Sequence, residues 1–179
     1  MDIYKLNFTR LELEILSYLT IQIGKKLSQR EIAKALQVSP TAIAKSVKKL
    51  KEKELINIEQ TKTINFITYN RDNQKAINYK RIENLRLINK SGIADFLEEQ
   101  FPGTAIILFG SYSKGEDTIK SDIDIAIIGT MTKKTNLEEY EEKLQREIRI
   151  NYYKDWKDIH KHLKNNILNG ITLKGSIEL

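Results

Sequence analysis

The segment 109–129, FGSYSKGEDTIKSDIDIAIIG, combines a glycine-serine turn with two aspartates one residue apart. Side chains in a strand alternate between faces, so Asp122 and Asp124 point to the same side and their carboxylates repel each other. A divalent cation removes that repulsion, and Mg²⁺ accepts oxygens from carboxylates, phosphates and water. The turn suits a phosphate, because Gly110 allows close backbone approach and Ser111 offers a hydroxyl and an N–H.

This segment carries a family pattern, in which a hydrophobic residue, Gly-Ser and a spacer precede Asp-x-Asp in a strand. The matching positions are Phe109, Gly110, Ser111, Asp122 and Asp124. Over roughly residues 92–175 the chain resembles the minimal members of the polymerase-beta-like nucleotidyltransferase superfamily, and HKHLKNNILNGITL resembles their closing helix and strand. A strand-turn-strand with incidental acids is the alternative.

The resemblance implies transfer of a nucleotidyl group from a nucleoside triphosphate, with ATP expected, to an acceptor hydroxyl. Two Mg²⁺ ions would bind Asp122 and Asp124, one holding the triphosphate and the other activating the acceptor. The expected nucleotide-binding residues are Gly110, Ser111, Lys114 and Ser121. Lys114 and Lys120 either neutralise phosphate charge or are ordinary solvated lysines. The acceptor could be a protein side chain, as in toxin-antitoxin pairs, a small molecule or an RNA end.

The third carboxylate of the family is expected in the next strand, within REIRINYY at 146–153. Arg149 occupies the best matching position, and an arginine cannot bind Mg²⁺. Its guanidinium would instead neutralise Asp122 and Asp124 or grip a phosphate. Glu147 becomes the third catalytic acid if the register is shifted by two. Without a third acid, the second hypothesis is a non-catalytic regulator whose C-terminal domain binds a nucleotide or a partner protein.

The N-terminal part of the chain reads as helix, short helix, tight turn and basic helix, which is the helix-turn-helix pattern. Thr9 and Ser28 open capping boxes, and Ser39 precedes Pro40 at the start of the third helix. The alternating segments INIEQ and TINFITYN predict a wing. Over roughly residues 5–70 the chain resembles the winged-helix domains of MarR-like regulators.

The third helix, expected over 40–54, predicts binding of double-stranded DNA in the major groove. The expected DNA-binding residues are Ser39, Thr41, Lys45, Lys48 and Lys49, with Lys62 on the wing. This helix has no arginine, which predicts low base specificity. The alternative is a protein-interaction or dimerisation module with solvated lysines. Because low base specificity is expected of this helix, DNA binding would need a homodimer or a second basic segment.

Charge is uneven along the chain, since residues 1–70 carry 12 lysines and arginines against 7 acids. The basic segment 71–90 predicts a helical connector, lined by Ile77, Ile82, Leu85 and Ile88 and decorated by Lys75, Lys80, Arg81 and Arg86. The domain prediction is a winged helix at 1–70, this connector at 71–90, and a nucleotidyltransferase-like domain at 91–179. The fold class is α+β, with a small mixed sheet in the C-terminal α/β domain.

Composition excludes several classes of protein. The chain has no cysteine, so disulfides and thiolate metal sites are ruled out. No apolar run approaches the roughly 18 residues of a membrane span, and the N-terminus lacks the apolar core of a signal peptide. We therefore expect a cytoplasmic protein without a membrane partner. The organisation is similar to archaeal proteins that join a winged helix to a minimal nucleotidyltransferase.

Overall fold

The computed structural model describes residues 7–178. The chain divides into two compact units, residues 1–77 and 78–179, and the division falls inside the helix expected as a connector. No helix within the described residues is both long enough and apolar enough to cross a membrane.

Three helices form the core of the first unit: α1 (Arg10–Ile21), α2 (Gln29–Leu36) and α3 (Pro40–Glu52). Both predicted capping boxes are confirmed, because the hydroxyls of Thr9 and Ser28 each accept the backbone N–H three residues ahead. The helices bury one apolar face each, as their periodicity predicts. The buried apolar residues include Ile15, Leu19, Ile32, Ile43, Val47 and Leu50.

The wing is a three-stranded antiparallel sheet of β1 (Leu27–Ser28), β2 (Ile56–Gln60) and β3 (Asn65–Tyr69), in the order β1-β3-β2. Its turn is closed by the Thr61 N–H, which donates to the Ile64 carbonyl at 3.0 Å. The two wing strands follow the predicted alternation. The two-residue strand β1 was not predicted, because it is too short to show any pattern.

Helix α4 (Gln74–Ser91) occupies most of the predicted connector. Its fully buried residues recur every fourth position and are Ala76, Lys80, Asn84 and Ile88. The predicted lining is wrong at Ile82, which is 65% exposed, and the prediction of a solvated Lys80 is wrong, since Lys80 is 1% exposed. The apolar pattern alone does not define the buried face, because the buried stripe includes the polar side chains of Lys80 and Asn84.

The second unit is a four-stranded mixed sheet with helices around it, which confirms the predicted α+β class. The strands are β4 (Ala105–Phe109), β5 (Ile123–Ile128), β6 (Ile148–Tyr153) and β7 (Ile171–Lys174), in the order β6-β5-β4-β7. The helices are α5 (Ile93–Gln100), α6 (Gly110–Lys114), α7 (Glu138–Leu144) and α8 (Lys161–Leu168), with a 3₁₀ turn at Trp156–Asp158. Only β5 and β6 are parallel among these pairs; β4 runs antiparallel to β5 and β7.

Both faces of this sheet are buried, which explains why β4 is apolar throughout. Ile123, Ile125 and Ile127 of β5 pack into one core cluster. Ala126 and Ile128 pack into the other. The alternation places Asp124 on the same face as Ala126, at the beginning of the strand.

Candidate functional site

The end of β4 and the start of β5 bring the glycine turn against the second aspartate. Phe109 is the register partner of Asp124, and Gly110 follows with φ +74°. A Cβ atom at position 110 would lie 2.5 Å from Oδ2 of Asp124. Position 110 therefore favours glycine for two reasons, the left-handed backbone conformation and the lack of space for a side chain. The turn and the carboxylate form a single site.

Asp122 lies directly before β5, and its side chain is 24% exposed. Burial raises the pKa of Asp124, the negative charge of Asp122 raises it further, and the Arg149 guanidinium opposes both effects. The charge of Asp122 therefore disfavours the ionised form of Asp124, as the strand spacing predicted. A bound cation would relieve this repulsion.

Arg149 lies beside these acids. In the parallel pairing of β5 with β6, Arg149 is the register partner of Asp124, and its Nη1 donates to Asp122 Oδ2 at 2.8 Å. Glu147 precedes β6, is 63% exposed, and has Oε1 3.5 Å from Arg149 Nε. The structure thus places an arginine, rather than an acid, on the strand next to the aspartate pair.

The donor set decides which ions this site can hold. Within residues 7–178 no group of three or more histidines, cysteines or acids is arranged to bind a metal. Two carboxylates suit a single Mg²⁺ that takes its remaining oxygens from phosphate and water. Asp122 and Asp124 fit one such ion, whereas the arginine position offers no ligand for another.

The remaining predicted nucleotide-binding residues lie on α6 and in the turn before β5. Ser111 is a partly exposed residue of α6, and Lys114 is exposed at the end of that helix. Ser121 has a structural contact, because its hydroxyl accepts the Thr118 N–H at 2.9 Å in the turn before β5. Lys120 is exposed.

A buried polar cluster supports the segment between the glycine turn and the aspartates. Lys80 forms an ion pair with Oδ1 of Asp117, and these side chains are only 2% and 1% exposed. The Asn84 amide donates to the same carboxylate oxygen at 2.7 Å and to the Tyr112 carbonyl at 2.8 Å. Sequence reasoning missed this cluster. The four-residue spacing of Lys80 and Asn84 was the available signal, but their partner Asp117 lies in a loop without periodicity.

The predicted DNA-binding residues divide into two groups. Thr41, Lys45 and Lys48 are exposed on the side of α3 opposite its buried residues. Lys62 is exposed in the turn of the wing. Ser39 caps α3, because its hydroxyl accepts the Ala42 N–H at 3.2 Å.

Lys49 is also exposed, but its amino group is directed towards α1. Its Nζ is 3.7 Å from Oε1 of Glu12, whose side chain is 3% exposed. Lys53 Nζ lies 3.8 Å from the other oxygen of Glu12. The two lysines therefore flank a buried acid of α1. Lys49, which was predicted to contact DNA, thus lies close to a negative charge of the protein.

Comparisons with known proteins match both parts of the chain. Residues 90–173 match the nucleotidyltransferase domain model, and residues 6–63 match the MarR family model. The N-terminal part of the chain is therefore similar to MarR-family proteins, and the C-terminal part is similar to nucleotidyltransferase domains. No curated protein matches the chain.

Among solved structures, ZitR and AdcR show a detectable likeness to part of the chain. Lactococcus lactis ZitR, in a single-substitution mutant form, is 23% identical with a TM-score of 0.40, and the match covers 56% of this chain and 65% of that one. The adhesin competence repressor AdcR of Streptococcus pyogenes is 17% identical with a TM-score of 0.41, covering 53% and 69%. The chain thus spans slightly less than two thirds of the ZitR length.

Proposed function

We propose that this chain is a DNA-binding regulator whose C-terminal domain binds a nucleoside triphosphate, ATP being the first candidate, together with Mg²⁺ at Asp122 and Asp124. The observation that carries the proposal is the contact between the Gly110 turn and Asp124, because it joins a backbone site for phosphate to a carboxylate site for a cation. The match to the nucleotidyltransferase domain over residues 90–173 supports the same function.

The proposed reaction is transfer of the nucleotidyl group to an acceptor hydroxyl, on a protein side chain, a small molecule or an RNA end. Bound Mg²⁺ would supply charge stabilisation to the triphosphate and to the leaving pyrophosphate. The protein residues orient the substrate. The Gly110 turn and Ser111 would hold phosphate oxygens, and Asp122 and Asp124 would hold the ion. Lys114 is exposed beside the turn and would approach the outer phosphates.

A second candidate is nucleotide binding without transfer. Arg149 favours this candidate, because it lies on the strand beside Asp124 where the third acid was expected. A guanidinium is permanently charged and cannot accept a proton from the acceptor hydroxyl. In that case the bound nucleotide would act as a signal to a regulator, or the domain would bind a partner protein.

For the winged helix we propose contact with duplex DNA through the outward face of α3. Thr41, Lys45 and Lys48 are exposed together there, and Lys62 extends the positive surface on the wing. Lysines without arginine favour phosphate contacts over guanine readout. A homodimer would double these contacts and would compensate for a small single footprint.

The function is tested by binding first and transfer second. ATP affinity with Mg²⁺ is measured by calorimetry for the wild type and for Asp122→Asn/Asp124→Asn, and the double variant should lose binding. The protein is then incubated with ATP labelled at the alpha or the gamma phosphate, with cell extract as the source of acceptor. Transfer is supported if an acceptor retains the alpha-phosphate label with the wild type but not with the double variant. Binding without retained label supports the second candidate, and absence of binding contradicts both.

A further inference from the structure

The Arg149 guanidinium places a fixed positive charge inside the aspartate site. Its Nη1 lies 2.8 Å from Asp122 Oδ2, and its backbone is in register with Asp124. This charge cannot be removed near neutral pH, because arginine stays protonated in proteins. The side chain is 59% exposed, so it reaches the pair from the solvent side.

A second divalent cation would meet this guanidinium. Paired ions in phosphoryl-transfer sites lie about 3.5–4 Å apart and share bridging carboxylates. In this chain one oxygen of Asp122 already has a cationic partner. A second ion would therefore face a positive group at close range, and among the described residues no third acid is grouped with the aspartate pair to hold it. The structure shows no ion pair to the carboxylate of Asp124 among the described residues, so this carboxylate is available to a single ion.

We infer that this site takes one divalent cation with the nucleotide, and that Arg149 takes the place of the second, neutralising Asp122 and facing the phosphates. The inference rests on the proposed function, since it specifies the metal content of the same site. The guanidinium neutralises charge as an ion would, but it can neither bind an acceptor oxygen as a ligand nor activate it.

Manganese provides a readout that does not depend on activity. Bound Mn²⁺ per chain is measured by electron paramagnetic resonance, with Mn²⁺ alone and with the α,β-methylene analogue of ATP. Two ions about 3.5–4 Å apart are magnetically coupled and give a distinct spectrum. The wild type should bind one uncoupled ion. Arg149→Asp should bind two coupled ions, and Arg149→Glu serves as a second variant if the first does not fold. Glu147→Gln should leave the count at one.

Each outcome has a defined meaning. One uncoupled ion in the wild type and a coupled pair in either acidic variant support the inference. A coupled pair in the wild type overturns it, while the proposed nucleotide site stands. A count of one in a folded acidic variant also overturns it, as does a lower count in Glu147→Gln, which would make Glu147 a ligand. No bound Mn²⁺ under either condition contradicts both the inference and the proposed function.

Discussion

Gly110 and Asp124 are in such close contact that any side chain at position 110 would collide with the carboxylate: an added Cβ lies 2.5 Å from Oδ2. Gly110 begins α6 and Asp124 lies in β5, with residues 111–123 between them in the chain. Their contact joins the two halves of the candidate site, and its dependence on glycine can be tested directly.

Replacement of Gly110 by alanine should destabilise the protein and move Asp124. A left-handed backbone costs an alanine about 1–2 kcal/mol, and the collision with Asp124 should add about 1–3 kcal/mol. Gly103→Ala is the matched control, because Gly103 has φ +77° but nothing within 4 Å of its added Cβ. Urea unfolding of both variants separates backbone strain from collision. Equal losses of stability would argue against the contact.

Replacement of Asp124 by asparagine should stabilise the metal-free protein at neutral pH. The folded-state pKa of Asp124 is raised by burial and by Asp122. The folded chain therefore holds this proton more tightly than the unfolded chain, and stability falls as pH rises from the ordinary aspartate pKa through the raised value.

The stability difference between Asp124→Asn and the wild type should accordingly be small near pH 4 and grow as the pH rises above the ordinary aspartate pKa. Thermal melts across this range in the presence of a metal chelator provide the measurement. A gain in stability that is independent of pH would show that ionisation of Asp124 is not its cause.

Loss of Lys80 should strongly destabilise the second unit, because Asp117 would be left buried without its counter-charge. Breaking a buried ion pair from one side typically costs about 3–5 kcal/mol. We expect this loss for Lys80→Met and recovery of much of it in Lys80→Met/Asp117→Leu. The exposed Lys90 of the same helix provides the control, and Lys90→Met should change stability by less than about 0.5 kcal/mol. Denaturant unfolding measures all three variants, and a mild effect of Lys80→Met would contradict a buried pair.

DNA affinity should depend on Lys45 and Lys48 more than on Lys49. Each lysine that contacts a phosphate contributes about 0.9 to the slope of log affinity against log salt. The double variant Lys45→Ala/Lys48→Ala should therefore reduce the slope by about 2, whereas Lys49→Ala should reduce it less, because Lys49 lies near Glu12.

The control for this measurement is Arg10→Ala, which also removes one positive charge but from an exposed pair with Glu14 on α1. Fluorescence anisotropy of labelled duplex DNA over a salt series gives the slopes. If Arg10→Ala and Lys45→Ala/Lys48→Ala reduced the slope equally, the result would indicate only a general attraction between the charges of the protein and the DNA. A larger effect of Lys49 than of Lys45 and Lys48 would place the DNA on another face of α3.

The amino-acid sequence by itself determined the elements whose signals are local. Capping boxes at Thr9 and Ser28, the alternation of the wing strands and the Gly-Ser and Asp-x-Asp elements all depend on neighbours within a few positions. The sequence also determined that Asp122 and Asp124 lie on the same face, because side chains alternate along a strand and these two residues are two positions apart. The mixed sheet and the two-part organisation were predicted from the family patterns that these elements carry.

Only the tertiary structure decided which charged groups meet. The ion pair of Arg149 with Asp122 depends on the pairing of β5 with β6, and a shift of two residues would have presented Glu147 instead. The burial of Lys80 against Asp117 joins residues 37 positions apart. Periodicity indicates on which face of its own helix or strand a residue lies. The electrostatic partners of a residue depend instead on how distant elements pack, because a buried charge is tolerated only beside its counter-charge.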